Sequence, residues 1–170
     1  MGKRLGHARI RELINQNNNA LKIRVNPTET LSSVGTVAAP TKTLTAADSG
    51  STFFINCGTV SVVAQLPTPQ AGLTFRFVLA TASDDEGSKD FLVNTGSDSV
   101  DMGGNIMVAG AILEITANTS AIMMDGSGGA LTVGDYLQFD CDGTDWYVSG
   151  STRTASSVVI NNAFDGITPA

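Results

Sequence analysis

The chain has one histidine, His7, and two cysteines, Cys57 and Cys141, among 170 residues. So few soft ligands cannot build a zinc-type spacing or a disulfide framework. Only 15% of the residues are charged, and the strong helix formers Leu, Glu and Lys are sparse, which disfavours long helices. No apolar run approaches the ~20 residues that cross a bilayer as a helix. The basic N-terminus lacks the apolar core of a signal peptide, so no membrane partner is expected. What is abundant is Gly, Ser, Thr, Ala and Val, with 42% hydrophobic residues, too many for a disordered chain. That composition points to a β-rich fold with many turns. The length fits one domain with short appendages.

The most informative stretch is Gly134 to Gly150, GDYLQFDCDGTDWYVSG. It reads as two strands joined near Asp142-Gly143, a dipeptide that tolerates the positive φ of hairpin turns. Leu137, Phe139, Cys141, Trp146 and Val148 share one face, expected to be core. A two-residue loop would set Asp140 opposite Asp145, an unfavourable like-charge pair. A four-residue loop, Asp142 to Asp145, keeps the core face and removes the pair, and is the preferred register. A bound cation would also relieve the repulsion.

The rest of the chain divides by composition. Residues 1–25 form a basic arm, with a one-sided apolar stripe of Ile10, Leu13 and Ile14 at helical spacing from about His7 to Gln16. Residues 26–43 read as an extended, partly strand-forming connector interrupted by Pro27, Gly35 and Pro40. Residues 44–160 form the body. Strands are expected at Phe53–Cys57, Val60–Leu66, Leu73–Ala80, Phe91–Asn94, Asn105–Val108, Ala111–Asn118, near Ala121–Met124, in the hairpin, and at Ser157–Ile160. LTFRFVLA, from Leu73, has the clearest period-two alternation. Residues 161–170 are a polar tail. Strands recurring at short intervals with turns between them predict an all-β, jelly-roll-like sandwich or small barrel, carrying a short helical or extended N-terminal arm.

Charge follows the same division. The arm holds Lys3, Arg4, Arg9, Arg11, Lys22 and Arg24 against Glu12, a net of +5. The remainder holds four basic residues against fifteen acidic ones, a net of −11. A basic arm on an acidic body suggests that the arm grips something negatively charged: nucleic acid, another protein's acidic surface, or the body of a neighbouring copy. Nucleic acid is disfavoured as the target, because the body would be repelled by phosphates and the arm has no aromatic residue for stacking. A protein surface fits better.

Three segments in this order carry a resemblance: LTAADSG from Leu44, LPTPQAGLTFRFVLA from Leu66, and the GDYLQFDCDGTDWYVSG hairpin. Together they resemble a β-domain of tailed-bacteriophage structural proteins, found in head-decoration and tail-fibre-like proteins. The resemblance spans about residues 44–150. Cys141 departs from it, standing where a small residue such as Ser is common. The resemblance implies a trimer-forming, jelly-roll-like sandwich on the virion surface, with no catalytic residues. The resemblance does not say which part of the virion carries the protein; 170 residues with only a short connector and no fibrous repeat favour a capsid decoration (cement) protein on the outer surface of the head, with the major capsid protein as partner. In that role Lys3, Arg4, Arg9 and Arg11 would meet capsid carboxylates, and Leu5, Ile10, Leu13 and Ile14 would fill an apolar groove. The alternative from a different class is a receptor-binding or adhesion module of a tail fibre.

Other constellations are weaker. Asp84-Asp85-Glu86 could be a catalytic carboxylate pair, but consecutive acids in a Gly/Ser loop are ordinary solvated residues. Asp140, Asp142 and Asp145 resemble part of a calcium loop without its distal bidentate Glu. Gly103-Gly104 and Gly126 to Gly129 lack the Lys-Ser/Thr or helix of a phosphate loop. The cysteines read as buried free thiols, with a disulfide between them as the alternative. Met102, Met107, Met123 and Met124 read mainly as core filling, and the Met/Ile-rich strands are the expected place for copies to pack. No enzyme activity and no cofactor are expected.

Overall fold

The computed structural model describes residues 27–81, 89–126, 131–155, 157–161 and 169. The arm residues Lys3, Arg4, Leu5, Arg9, Ile10, Arg11, Leu13 and Ile14, and the acidic run Asp84 to Glu86, lie outside them. The described chain is all-β. It holds β1 (Thr28–Leu31), β2 (Lys42–Thr43), β3 (Thr52–Asn56), β4 (Val62–Gln65), β5 (Thr74–Thr81) and β6 (Phe91–Asn94). These are followed by β7 (Met102–Val108), β8 (Ala111–Thr119), β9 (Ala121–Met124), β10 (Tyr136–Cys141), β11 (Trp146–Thr152) and β12 (Val158–Asn161). The helical content described is one short 3-10 turn, Ala46–Asp48, where the Asp48 carboxylate accepts from the Thr45 backbone N–H at 2.8 Å.

Two mixed sheets face each other. The larger runs β1-β3-β5-β10-β11-β7-β8 and the smaller β12-β9-β6-β4-β2. The first six strands alternate between the sheets as the chain winds. Parallel neighbours need a crossover connection, and here each crossover is a strand of the opposite sheet. Thr28 aligns with Thr52 and Thr52 with Arg76, so each of these turns advances 24 residues. The second half is different: β7–β8 and β10–β11 are antiparallel hairpins within the larger sheet.

The sheets differ in what they cover. Strands of the larger sheet alternate, as in the buried-out-buried pattern of β10 and β11, because one face packs on the core and the other meets solvent. In the smaller sheet β6 and β9 are buried throughout, which suits their unbroken apolar runs FLV and AIMM. Its outer face carries a second cluster of Val63, Leu92, Ala121 and Met123 packed against Val37. The segment bearing Val37 is tied down by Gly35 N–H donating to the Ser61 carbonyl at 2.9 Å.

The core is organised around Phe77. Its ring stacks on Phe53 at 5.3 Å, meets Phe139 edge-on at 5.8 Å, and reaches Phe91 of the opposite sheet at 5.1 Å. Offset and edge-on ring pairs each add ~0.5–1.5 kcal/mol beyond the area they bury.

Three differences from the sequence reading have local causes. The 26–43 connector contributes to both sheets, since β1 pairs with β3 and β2 with β4, and Leu31 is buried. The sheets therefore begin at Thr28 rather than Leu44. β7 begins at Met102, so Gly103 and Gly104 are strand and not turn. A Cβ at Gly104 would collide with the Val148 carbonyl, so the glycine serves the close parallel approach of β11. Within the all-β sandwich that the sequence predicts, strands β1, β3 and β5, and β2, β4 and β6, run parallel, a winding that the sequence reading does not specify.

Candidate functional site

The hairpin adopts the longer loop. Cys141 pairs with Trp146, Asp140 with Tyr147 and Phe139 with Val148, so Asp142 to Asp145 form the turn and no aspartate faces another across the ladder. Leu137, Phe139, Cys141, Trp146 and Val148 are all buried. Trp146 is fully enclosed against Phe75, with ring centroids 5.7 Å apart, and its indole N–H has no hydrogen-bond partner among the described residues.

The three aspartates do not form a cation cage. One oxygen of Asp142 accepts from the backbone N–H groups of Thr144 at 2.8 Å and Asp145 at 3.0 Å, and the other accepts from the Tyr147 hydroxyl at 3.1 Å. The Asp145 N–H, then that of Thr144, holds the Asp142 carboxyl below its usual range. The same contact with Asp142 pushes the Tyr147 phenol up. Asp140 accepts from the Gln138 amide at 3.2 Å. Asp142 thus acts as an Asx-turn residue, and the calcium-loop likeness of Asp140, Asp142 and Asp145 ends there. Among the described residues no three His, Cys, Asp or Glu side chains gather as a metal site.

Both thiols are buried and free. Cys57 is pushed up to about 12, first by burial and then by the charge of Asp90. Gly126 donates its N–H to Asp90 at 2.9 Å, and a Cβ there would collide with the Lys89 carbonyl, so this glycine serves packing. A cleft of about 540 Å³ at the ends of β2, β4 and β6 is lined by Thr43, Gln65, Pro67, Thr95 and Ser99 among others, with no ionisable side chain.

The three segments that carry the resemblance adjoin in space. LTAADSG leads into β3, LPTPQAG leads into β5, and the hairpin is β10–β11, which makes β3-β5-β10-β11 a continuous block of the larger sheet. Backbone bonds join their turns: Gly50 N–H to Thr74, Gly72 N–H to Cys141, and Gly134 N–H to Leu79, at 2.8, 2.9 and 2.9 Å. Three motifs separated along the chain thus form one structural unit.

The exposed face of that sheet is ordered in rows. Phe54, Val78, Tyr136, Ser151, Met107 and Ile112 lie side by side across six strands. The adjacent row is polar: Thr52, Arg76, Gln138, Ser149, Asn105 and Glu114. The Arg76 guanidinium sits 4.5 Å from the Tyr136 ring, covering that part of the apolar row. The β8 end of the row is open, with Ile112 76% and Met107 53% exposed, whereas Met102, Met123 and Met124 are buried. The sequence pointed to methionine-rich strands but did not single out Ile112. The signal available was the adjacent pair Ile112-Leu113, which puts an apolar residue on both faces of one strand.

No described helix is long and apolar enough to cross a membrane. No protein-family model matches the chain, and no curated protein matches it.

Proposed function

We propose that this chain is a structural virion protein of a tailed bacteriophage, a capsid decoration protein. Three copies sit together on the outer surface of the head, and each basic arm crosses neighbouring major capsid subunits. Lys3, Arg4, Arg9 and Arg11 pair with capsid carboxylates, while Leu5, Ile10, Leu13 and Ile14 dock in an apolar groove. The β body supplies bulk and rigidity, so the shell resists internal pressure. The role is mechanical, without catalysis, cofactor, nucleic acid or membrane.

The observation that carries this reading is the contiguity of the three resembling segments at the centre of one sheet. The division of charge, +5 in the arm and −11 in the remainder, supports assigning attachment to the arm. Binding of the full chain to phage heads lacking it tests the reading. The unaltered chain is expected to co-sediment with heads, and a chain lacking residues 1–19 is expected to stay in the supernatant while keeping its far-ultraviolet spectrum. Unchanged binding of the shortened chain would overturn the stapling role. Binding to host cell surfaces but not to heads would favour the tail-fibre role.

A further inference from the structure

The two ends of the sandwich are built differently. At one end lie the edge strands β1 and β2, guarded by charge: Lys42 bonds Glu29 at 2.8 Å and lies 3.9 Å from Asp48. Charged residues on edge strands are a common defence against strand pairing between molecules. At the other end lie the edges β8 and β12, which touch each other. The strands of this end, β7, β8, β9, β11 and β12, contain a single charged residue, Glu114. β8 is nine residues long and largely exposed. Between β8 and β12 runs a groove of about 260 Å³ lined by Val108, Ala111, Ile112, Leu113, Ala155 and Val158, all of them apolar.

We infer that the β8/β12 end is the surface through which copies of this chain associate. The argument for a second copy as occupant comes first from charge. A body with a net charge of −11 repels its own kind at most approaches. Contact between identical acidic bodies is favourable only where ionised groups are scarce, and the described strands of this end hold one, with Asp125 and Arg153 in the adjoining turns. A basic partner, in contrast, would gain nothing from so neutral a surface. Size agrees. A nine-residue strand runs ~30 Å, and two sheets ~10 Å apart with their side chains make an end face roughly 25 Å across. β8 fills that length but β12, at four residues, spans only ~13 Å, so the end face is about 500 Å² per copy, the size of a small interface. β8, an edge strand among the described residues, offers its outer backbone groups for main-chain bonds besides the burial of Ile112, Met107 and Leu113.

This inference rests on the trimer reading above for the number of copies, not for the location of the surface. The test therefore uses the isolated full chain without heads. Light scattering after size exclusion, at about 100 µM, is expected to give a mass two or more times 17.6 kDa. Ile112→Lys, and separately Met107→Lys, is expected to reduce that mass to one copy with an unchanged far-ultraviolet spectrum, because both side chains are exposed. Phe54→Lys, at the opposite end of the same row, is expected to leave the oligomer intact. A monomeric wild-type chain, or an oligomer that survives both lysines, would overturn the inference. An oligomer of two copies abolished by Ile112→Lys would uphold the surface and refute the trimer.

Discussion

Trp146 offers a test that separates two opposing contributions at one site. Its side chain is fully buried between Phe75 and its ladder neighbours Cys141 and Met102, so truncation to alanine removes a large apolar payload and leaves a cavity. Such truncations cost ~3–5 kcal/mol. For a domain of this size that lowers the melting temperature by roughly 6–20 °C. The indole N–H, however, is buried without a partner among the described residues. An unsatisfied buried donor carries a penalty of ~1–3 kcal/mol. Trp146→Phe loses part of the ring but also removes that donor, so its net cost is expected to fall below ~2 kcal/mol. Urea unfolding followed by far-ultraviolet circular dichroism reads both variants, since the only tryptophan is the residue replaced. The expected order is wild type near Trp146→Phe, with Trp146→Ala far below. Equal losses in the two variants would refute the claim that the N–H is an uncompensated cost. No loss in either would remove Trp146 from the core.

Further predictions follow from the geometry. Cys57 has a folded pKa of about 12 against an ordinary 9.0, so its stabilising contribution is complete below pH 9 and is lost as pH rises through 12. Three pKa units correspond to roughly 4 kcal/mol, and Cys57→Ala is expected to flatten that part of the alkaline unfolding curve; an unaltered curve would refute the assignment. Gly104→Ala forces a Cβ into the Val148 carbonyl at φ +132, and is expected to destabilise by more than ~1 kcal/mol and to expose β7 amides to hydrogen exchange. Asp142 has a folded pKa below its ordinary value, so its contribution is present above pH 3.8 and disappears as pH falls through the folded value. Asp142→Ala is therefore expected to lower the melting temperature more at pH 7 than at acid pH, whereas an equal drop at both would refute the charge-assisted Asx-turn role.

How much of this was legible in the sequence depends on where each strand lies. Leu73, Phe75, Phe77 and Leu79 alternate cleanly because β5 lies mid-sheet with one face buried and one solvated. The register of β10–β11 was legible because the wrong loop length would have opposed two aspartates. The winding of the first six strands was not legible. Parallel neighbours 24 residues apart share no turn, so no local signal marks their pairing. β1 escaped notice because TETL follows Pro27 and three of its four residues are exposed, leaving only Leu31 to mark the core. Gly103-Gly104 read as a turn because glycine is ordinary in turns, whereas here the cause is the approach of a neighbouring backbone. The open apolar row was hidden for a related reason: Phe54, Val78, Tyr136, Met107 and Ile112 become neighbours only once the larger sheet forms.

The measurement that bears most directly on the decoration role is the copy number of this chain in purified virions, counted by quantitative mass spectrometry against the major capsid protein. A ratio near one to one, or three copies for each three-fold position of the shell, is the expected result. A handful of copies per particle would contradict it and move the protein to the tail or the portal vertex.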